Sequence, residues 1–431
     1  MNIEITTLLS VFVVLLVIGA PISIAIAISS LSVMFMFLPP EMALLTASQT
    51  VANALNSFSL LAIPLFILSG SIMNTGGLAL RLINFTKLFT GKLPGPLFQI
   101  NILSNMLFGA LSGSAIAAEV AVGKIIDPLQ KKENYDPALS AAVNIASCPT
   151  GLLIPPSNTF IVYSLVSGGT SIAALFLAGY LPGILMGLGI SLVAMFFSIK
   201  ENYPKQQSIS FQEKKEIIIQ ALPSLLMIVI VIGGVVGGVF TATEGSGIAA
   251  LYSLVLSVIY KSLNAKKLKE IVVETVSMTG IVLFLISVSS IMSWVLSYSK
   301  IPQIIAEGLL SVSDNPIIIM LLINLILLCV GTFMDMTPAI LIFTPIFLPI
   351  AKQIGFDPVH FGIIMTFNLC IGLCTPPVGS ALFVGCSLSN IKIEEVFSKL
   401  IPMFIVLIIT LFLIVFVPEI SLFLPRAFGL M

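Results

Sequence analysis

The residues with the means to do chemistry gather in four short, related stretches. Two read as turn tips, Gly109-Ala-Leu-Ser-Gly-Ser114 and Gly331-Thr-Phe-Met-Asp-Met-Thr337, and two as helix breaks, Pro149–Asn158 and Gly372–Ser380. Two successive prolines, Pro155-Pro156 in one break and Pro376-Pro377 in the other, each remove a backbone N–H and clash with the preceding turn, so a helix cannot run through them. The carbonyls so freed, beside the hydroxyls of Ser157, Thr375 and Ser380 and the amide of Asn158, form the hard-oxygen environment that a sodium ion takes. Half-helix N-termini favour an anion. One cation site is expected at each pairing of a tip with a break.

Those stretches lie in a chain written for lipid. Of its 431 residues, 58 % are apolar and 9 % charged, with Lys plus Arg (19) cancelling Asp plus Glu (19). Soluble domains carry about 25 % charged residues, so a soluble enzyme and a disordered chain are excluded. The absence of net positive charge leaves no field for a nucleic acid. Charge-free runs such as Ile5–Pro40, Met42–Leu80 and Pro137–Ile199 exceed the roughly 20 residues that a spanning helix needs. They lack the ten-residue alternation of a β-barrel. The expected fold is an all-α polytopic membrane protein with about ten spanning helices. The N-terminus carries neither a basic n-region nor a cleavage site and reads as the first span.

The strongest internal signal is a repeat offset by about 221 residues: Asp136-Pro137 recurs as Asp357-Pro358, Pro128 as Pro349, Gly151 as Gly372, and Pro155-Pro156 as Pro376-Pro377. Leu65-Phe66 with Ser69 recurs as Leu283-Phe284 with Ser287 at about 218. Of the 19 basic residues, Lys205 included, only Lys300, Lys352 and Arg426 fall outside a group that one threading places on the cytoplasmic face. That threading starts from an external N-terminus and makes 93–135 and 315–356 re-entrant hairpins. The halves, 1–200 and 217–431 joined by a cytoplasmic linker at 201–216, are then inverted copies, with broken helices at 137–166 and 358–386. Inverted repeats meeting at a midplane site characterise secondary transporters.

Asp335 is the one acid between Asn315 and Ala351, and an intramembrane carboxylate is a functional hypothesis by default; its bland alternative is a wetted helix cap. Ser112 and Ser114 fall opposite it in the repeat, and their alternative is close packing. Ser157, Asn158, Thr375 and Ser380 either contact ligand or satisfy broken backbone. Glu119, one turn past the first tip, reads as a solvated cavity residue or a tuning charge. Glu244 reads as a helix cap, and His360 as interfacial. Gly233, Gly234, Gly237 and Gly238 read as helix packing, and the five cysteines as packing residues. Ala79–Gly91 and Ile301–Val312 suit helices lying along the membrane interfaces. No nucleotide loop, nucleophile elbow or metalloprotease motif is present, so gradient-driven transport fits better than hydrolysis.

Ser112–Ser114, Leu153–Ser157, Ala174–Gly183, Thr243-Glu244, Gly331–Pro338 and Thr375–Gly379 together resemble the DctM-like large membrane subunit of tripartite ATP-independent periplasmic (TRAP) transporters. The resemblance implies an elevator carrier of the bacterial inner membrane that brings in an organic acid with sodium and needs no other cofactor. Its cargo would be a C4-dicarboxylate, sialic acid or sugar acid. Its partners would be a DctP-like periplasmic binding protein and a DctQ-like four-helix membrane subunit, here expected as a separate polypeptide since the chain starts directly on the large subunit. One sodium site would comprise Ser112, Gly113, Ser114, Gly151 and Pro155; the other would comprise Gly331, Asp335, Thr337, Gly372, Thr375 and Gly379. Substrate would lie between the tips, against Ser114, Ser157, Asn158, Asp335, Thr337 and Ser380. A stand-alone divalent-anion symporter and, from another class, a channel or membrane enzyme are the competing readings.

Overall fold

The computed structural model describes residues 3–75, 78–203, 210–313 and 315–431; Lys205, and with it 204–209 of the linker, lies outside them. The regular structure of the described residues is all helical, with no strand. Among the described residues, seven helices are long and apolar enough to cross a bilayer, or eight if the bent pair at the first break counts as one span. The expectation of about ten counted charge-free runs, some of which the chain divides. Ile5–Pro40 becomes Ile3–Val17 and Ile22–Phe37, of 15 and 16 residues. At 1.5 Å per residue each is about 22–24 Å long, short of a hydrocarbon core near 30 Å. Gly19, at φ +87°, and Pro21 make the division.

Local chemistry sets the central rods. Pro137–Ser147 and Pro358–Leu373 each begin with proline at a first-turn position, where its missing N–H costs nothing. Each is capped by aspartate. Asp136 Oδ1 accepts from the Ala138 and Leu139 amides at 2.9 and 3.4 Å, and Asp357 Oδ1 from those of Val359 and His360 at 2.7 and 3.4 Å. Residues 139–147 and 359–373 are all buried. Outer helices instead show apolar stripes. Leu188, Leu192 and Phe196 follow one face of Ile172–Lys200 and are 53, 65 and 67 % exposed, as a lipid-facing surface requires.

Two helical hairpins flank the rods. The first pairs Pro96–Ser112 with Ala115–Lys132. Its turn is Gly113, left-handed at φ +62° with its amide on Gly109 O at 2.8 Å, and Ser114, whose hydroxyl accepts from the Ala117 amide at 3.3 Å. The second pairs Pro316–Gly331 with Met336–Gln353. Each hairpin's first arm crosses a rod glycine to glycine. A Cβ on Gly109 would lie 2.5 Å from the Gly151 Cα, and one on Gly331 3.1 Å from the Gly372 Cα.

The four glycines at 233–238 serve a different purpose from the one expected. Gly234 receives the Phe240 ring, Gly233 and Gly238 face open space, and Gly237 meets only its own helix and Val239. They let the chain fold back on itself rather than bring two helices together. Glu244 closes a capping box with Thr241, its carboxylate accepting the Thr241 amide at 2.7 Å. Helices occupy Leu78–Thr90 and Ile301–Val312, the two stretches read as interfacial.

Candidate functional site

The first break bends Pro137–Leu153 against Asn158–Val166 by 51°. Both Pro155-Pro156 and Pro376-Pro377 are cis. Ser157 is fully buried and its hydroxyl donates to Leu152 O at 2.6 Å, while Thr375 Oγ1 donates to Ile371 O at 2.7 Å. The Ser157 hydroxyl thus satisfies a carbonyl that Pro156 freed, while Thr375 bonds back one turn to a carbonyl that the Cys374 amide also reaches. Asn158 differs: its Oδ1 is buried with no hydrogen-bond partner among the described residues, and its amide end lies against Gly113 of the first tip.

Tip and break are joined in the second half too. The Val378 amide donates to Thr332 O at 3.1 Å, and Ser380 Oγ donates to Asp335 Oδ1 at 3.4 Å. Asp335 holds the N-cap position of Met336–Gln353 without a side-chain cap bond. Asp335 is exposed on the space before it, and Ser380 is its one side-chain partner among the described residues. Across the halves, Thr159 Oγ1 donates to Met336 Sδ at 3.3 Å and the Tyr163 hydroxyl to Pro358 O at 2.6 Å.

Tips and first break line a partly open cavity of about 430 Å³, within the range of small-molecule sites, about 300–1,000 Å³. Ser112, Gly113 and Ser114 line it from the first tip, Asn158 and Thr159 from the first break, and Asp335 and Thr337 from the second tip. Ser71 and Asn74 close one side, Glu274 and Met278 another. The helices beginning at Ala115, Asn158 and Met336 all start at this wall. Their free N–H groups and dipoles favour an anion. Among the described residues that line the cavity there is no Lys, Arg or His, and the acids are Asp335 and Glu274.

Of the residues expected to bind cargo or cation, Ser112, Gly113, Ser114, Asn158, Asp335 and Thr337 meet on this cavity. Ser157, Gly151, Pro155, Gly331, Gly372, Thr375, Gly379 and Ser380 stand behind it, in the breaks and the glycine crossings. Glu119 is neither solvated nor on the cavity. It is fully buried, reached by the Cys148 thiol at 3.7 Å and with Oε1 unpartnered among the described residues, because helix Ser380–Ser389 covers it at Gly385. His360 is buried rather than interfacial: Ser421 of the C-terminal helix meets its Nδ1 at 2.6 Å and Phe356 stacks on its ring.

Sequence reading missed Glu274, which sits among charges near a helix start and looks like surface. It also missed a buried amide network. Asn105 Nδ2 reaches Asn101 Oδ1, Asn144 Oδ1 and Ser147 Oγ at 3.0, 3.0 and 2.7 Å, and Asn368 Nδ2 reaches Asn324 Oδ1 at 2.9 Å. Each joins a hairpin arm to its rod. Asparagines in apolar runs were the available signal.

Fold and site together define a polytopic α-helical membrane protein. The solved YdaH transporter of Alcanivorax borkumensis has a similar fold, with a TM-score of 0.64 at 13 % identity, covering 86 % of this chain and 88 % of that one. The family model for the tripartite ATP-independent periplasmic transporter, DctM component, matches residues 9–420. The chain belongs to that family of transporter permease subunits. It is 54 % identical to YgiK of Salmonella typhimurium over 97 % of this chain and 96 % of YgiK. It is 35 % identical to the sialic acid TRAP transporter large permease protein SiaM of Vibrio cholerae, over 96 % of each. With the C4-dicarboxylate TRAP transporter large permease protein DctM of Pseudomonas aeruginosa it shares 36 % identity, over 86 % of this chain and 87 % of that one.

Proposed function

We propose that the chain is the carrier subunit of a sodium-coupled importer of a small organic acid in the bacterial inner membrane. One observation carries this reading: both tips and the first break meet on a single cavity that three helix N-termini face and, among its described residues, no basic side chain lines. Such a cavity can hold a carboxylate through backbone N–H groups, hydroxyls and co-bound cations. Sodium sits at each tip-and-break pair, at Ser112–Ser114 with the 151–158 break and at Gly331, Asp335 and Thr337 with the 372–379 break. The acid lies between the tips, against Ser114, Asn158, Asp335 and Thr337, with Ser157 and Ser380 supporting from the breaks.

Residues 1–200 and 217–431 act as inverted repeats about a linker at 201–216, with a periplasmic N-terminus. The hairpins and broken helices carry the cargo as one moving body, in an elevator motion. A periplasmic binding protein delivers the acid, and a small four-helix membrane subunit braces the rest. The SiaM and DctM relatives, whose names specify sialic acid and C4-dicarboxylate, support an acid as cargo.

Uptake into proteoliposomes tests it. A sodium gradient should drive accumulation only with the small subunit and a loaded binding protein present. Accumulation without the binding protein would show a stand-alone symporter, and passive flux indifferent to sodium would show a channel.

A further inference from the structure

The cavity's walls differ in what they can tolerate. Three helix N-termini supply donors where the helices beginning at Ala115, Asn158 and Met336 meet the cavity. The remaining lining offers Ser71 and Asn74, apolar side chains such as Ile67, Met278 and Leu285, and the carboxylate of Glu274. Glu274 is exposed and, among the described residues, takes part in no ion pair or side-chain hydrogen bond. Carboxylate oxygens accept hydrogen bonds, so the unpartnered Glu274 calls for a donor on whatever enters. A second carboxylate on the cargo placed against Glu274, away from the cation sites at the tips, would meet like charge with no basic side chain among the described lining residues to offset it.

We infer that the cargo is a monocarboxylate bearing hydroxyl or ammonium donors, and that Glu274 is the side chain that excludes a diacid. This rests on the acid-carrier reading and narrows it: a sugar acid or amino acid fits, and a dicarboxylate does not.

Aldonates and aldarates make the test clean, because gluconate and glucarate, or galactonate and galactarate, differ by one terminal group, hydroxymethyl against carboxylate. The full-length chain is purified in detergent with its membrane partner, and thermal unfolding is followed as each acid is titrated with and without sodium. The aldonates should stabilise it in a sodium-dependent way, and the aldarates and succinate should need at least about tenfold higher concentration, the weak end of what a like-charge contact near a protein surface costs. In Glu274→Gln the ratio of aldarate to aldonate concentration should narrow by about tenfold; Glu274→Asp should behave as the native chain. Diacids matching monoacids in the native chain, or an unchanged ratio in Glu274→Gln, overturns the inference and leaves acid carriage standing. Stabilisation by none of the acids overturns both. The native ratio decides the matter even if a variant fails to fold.

Discussion

Gly109 and Gly151 cross with no side chain between them, so that a Cβ on Gly109 would stand 2.5 Å from the Gly151 Cα. The same crossing recurs between Gly331 and Gly372, where a Cβ on Gly372 would come within 2.6 Å of the Gly331 carbonyl carbon. Each crossing seats a hairpin arm on its rod, and so sets how far the tip reaches toward the break.

Gly109→Ala and Gly372→Ala should therefore lower the unfolding temperature, since the obstacle is backbone and cannot swing aside. Overpacking of this kind costs about 1–3 kcal/mol. Gly308→Ala is the control. Its site is open and helical, so the change should be neutral or stabilise by up to about 1 kcal/mol. Thermal unfolding in detergent measures all three, and equal losses would mean that the crossings do not set the packing.

Asp335 faces the cavity while its Oδ1 accepts from Ser380. Asp335→Asn should keep the fold and raise the sodium needed for half-maximal uptake. Ser380→Ala should do so more weakly, and the double variant should fall short of the sum, because the two side chains share one contact. Unchanged sodium dependence in Asp335→Asn would remove it from the cation site.

Ser112→Ala and Ser114→Ala should likewise raise the sodium requirement. They separate in stability. Ser114 caps the return helix through the Ala117 amide, and losing such a cap costs about 0.5–2 kcal/mol. Ser112 makes only weak local bonds, at 3.3 Å or longer. A stability loss without any sodium effect in either would return both to packing.

Asp136, at the lip of the first rod, pairs with Lys399 at 2.7 Å. Partial burial pushes its carboxyl up, and the hydrogen bond and charge of Lys399 with two helix amides outweigh that and hold it below the ordinary carboxylate range. A depressed folded value stabilises the protein above the ordinary carboxylate pKa, and the contribution is lost as pH falls through the folded value. Asp136→Ala should cost about 0.5–2 kcal/mol through the lost cap. Asp136→Asn keeps an acceptor for the cap and should cost under about 1 kcal/mol, with a flatter loss of stability on acidification. Unfolding temperatures across acidic to neutral pH separate the two.

Composition, the doubled proline pairs and the repeated Asp-Pro starts were enough to read an all-helical membrane chain with two tips and two breaks, because each is a local consequence of backbone chemistry. They also marked Ser112, Ser114, Asn158, Asp335 and Thr337, which the cavity brings together. What a sequence cannot show is which side of a helix its neighbours cover. Glu119 read as a solvated cavity residue or a tuning charge and is buried against Gly385, and His360 read as interfacial and is closed over by Ser421. Glu274 looked like surface and lines the cavity. Ser157 could contact ligand or satisfy broken backbone, and it spends its hydroxyl on Leu152. Burial and hydrogen-bond partnership arise from contacts between segments far apart in the chain, so only the packed structure could decide them.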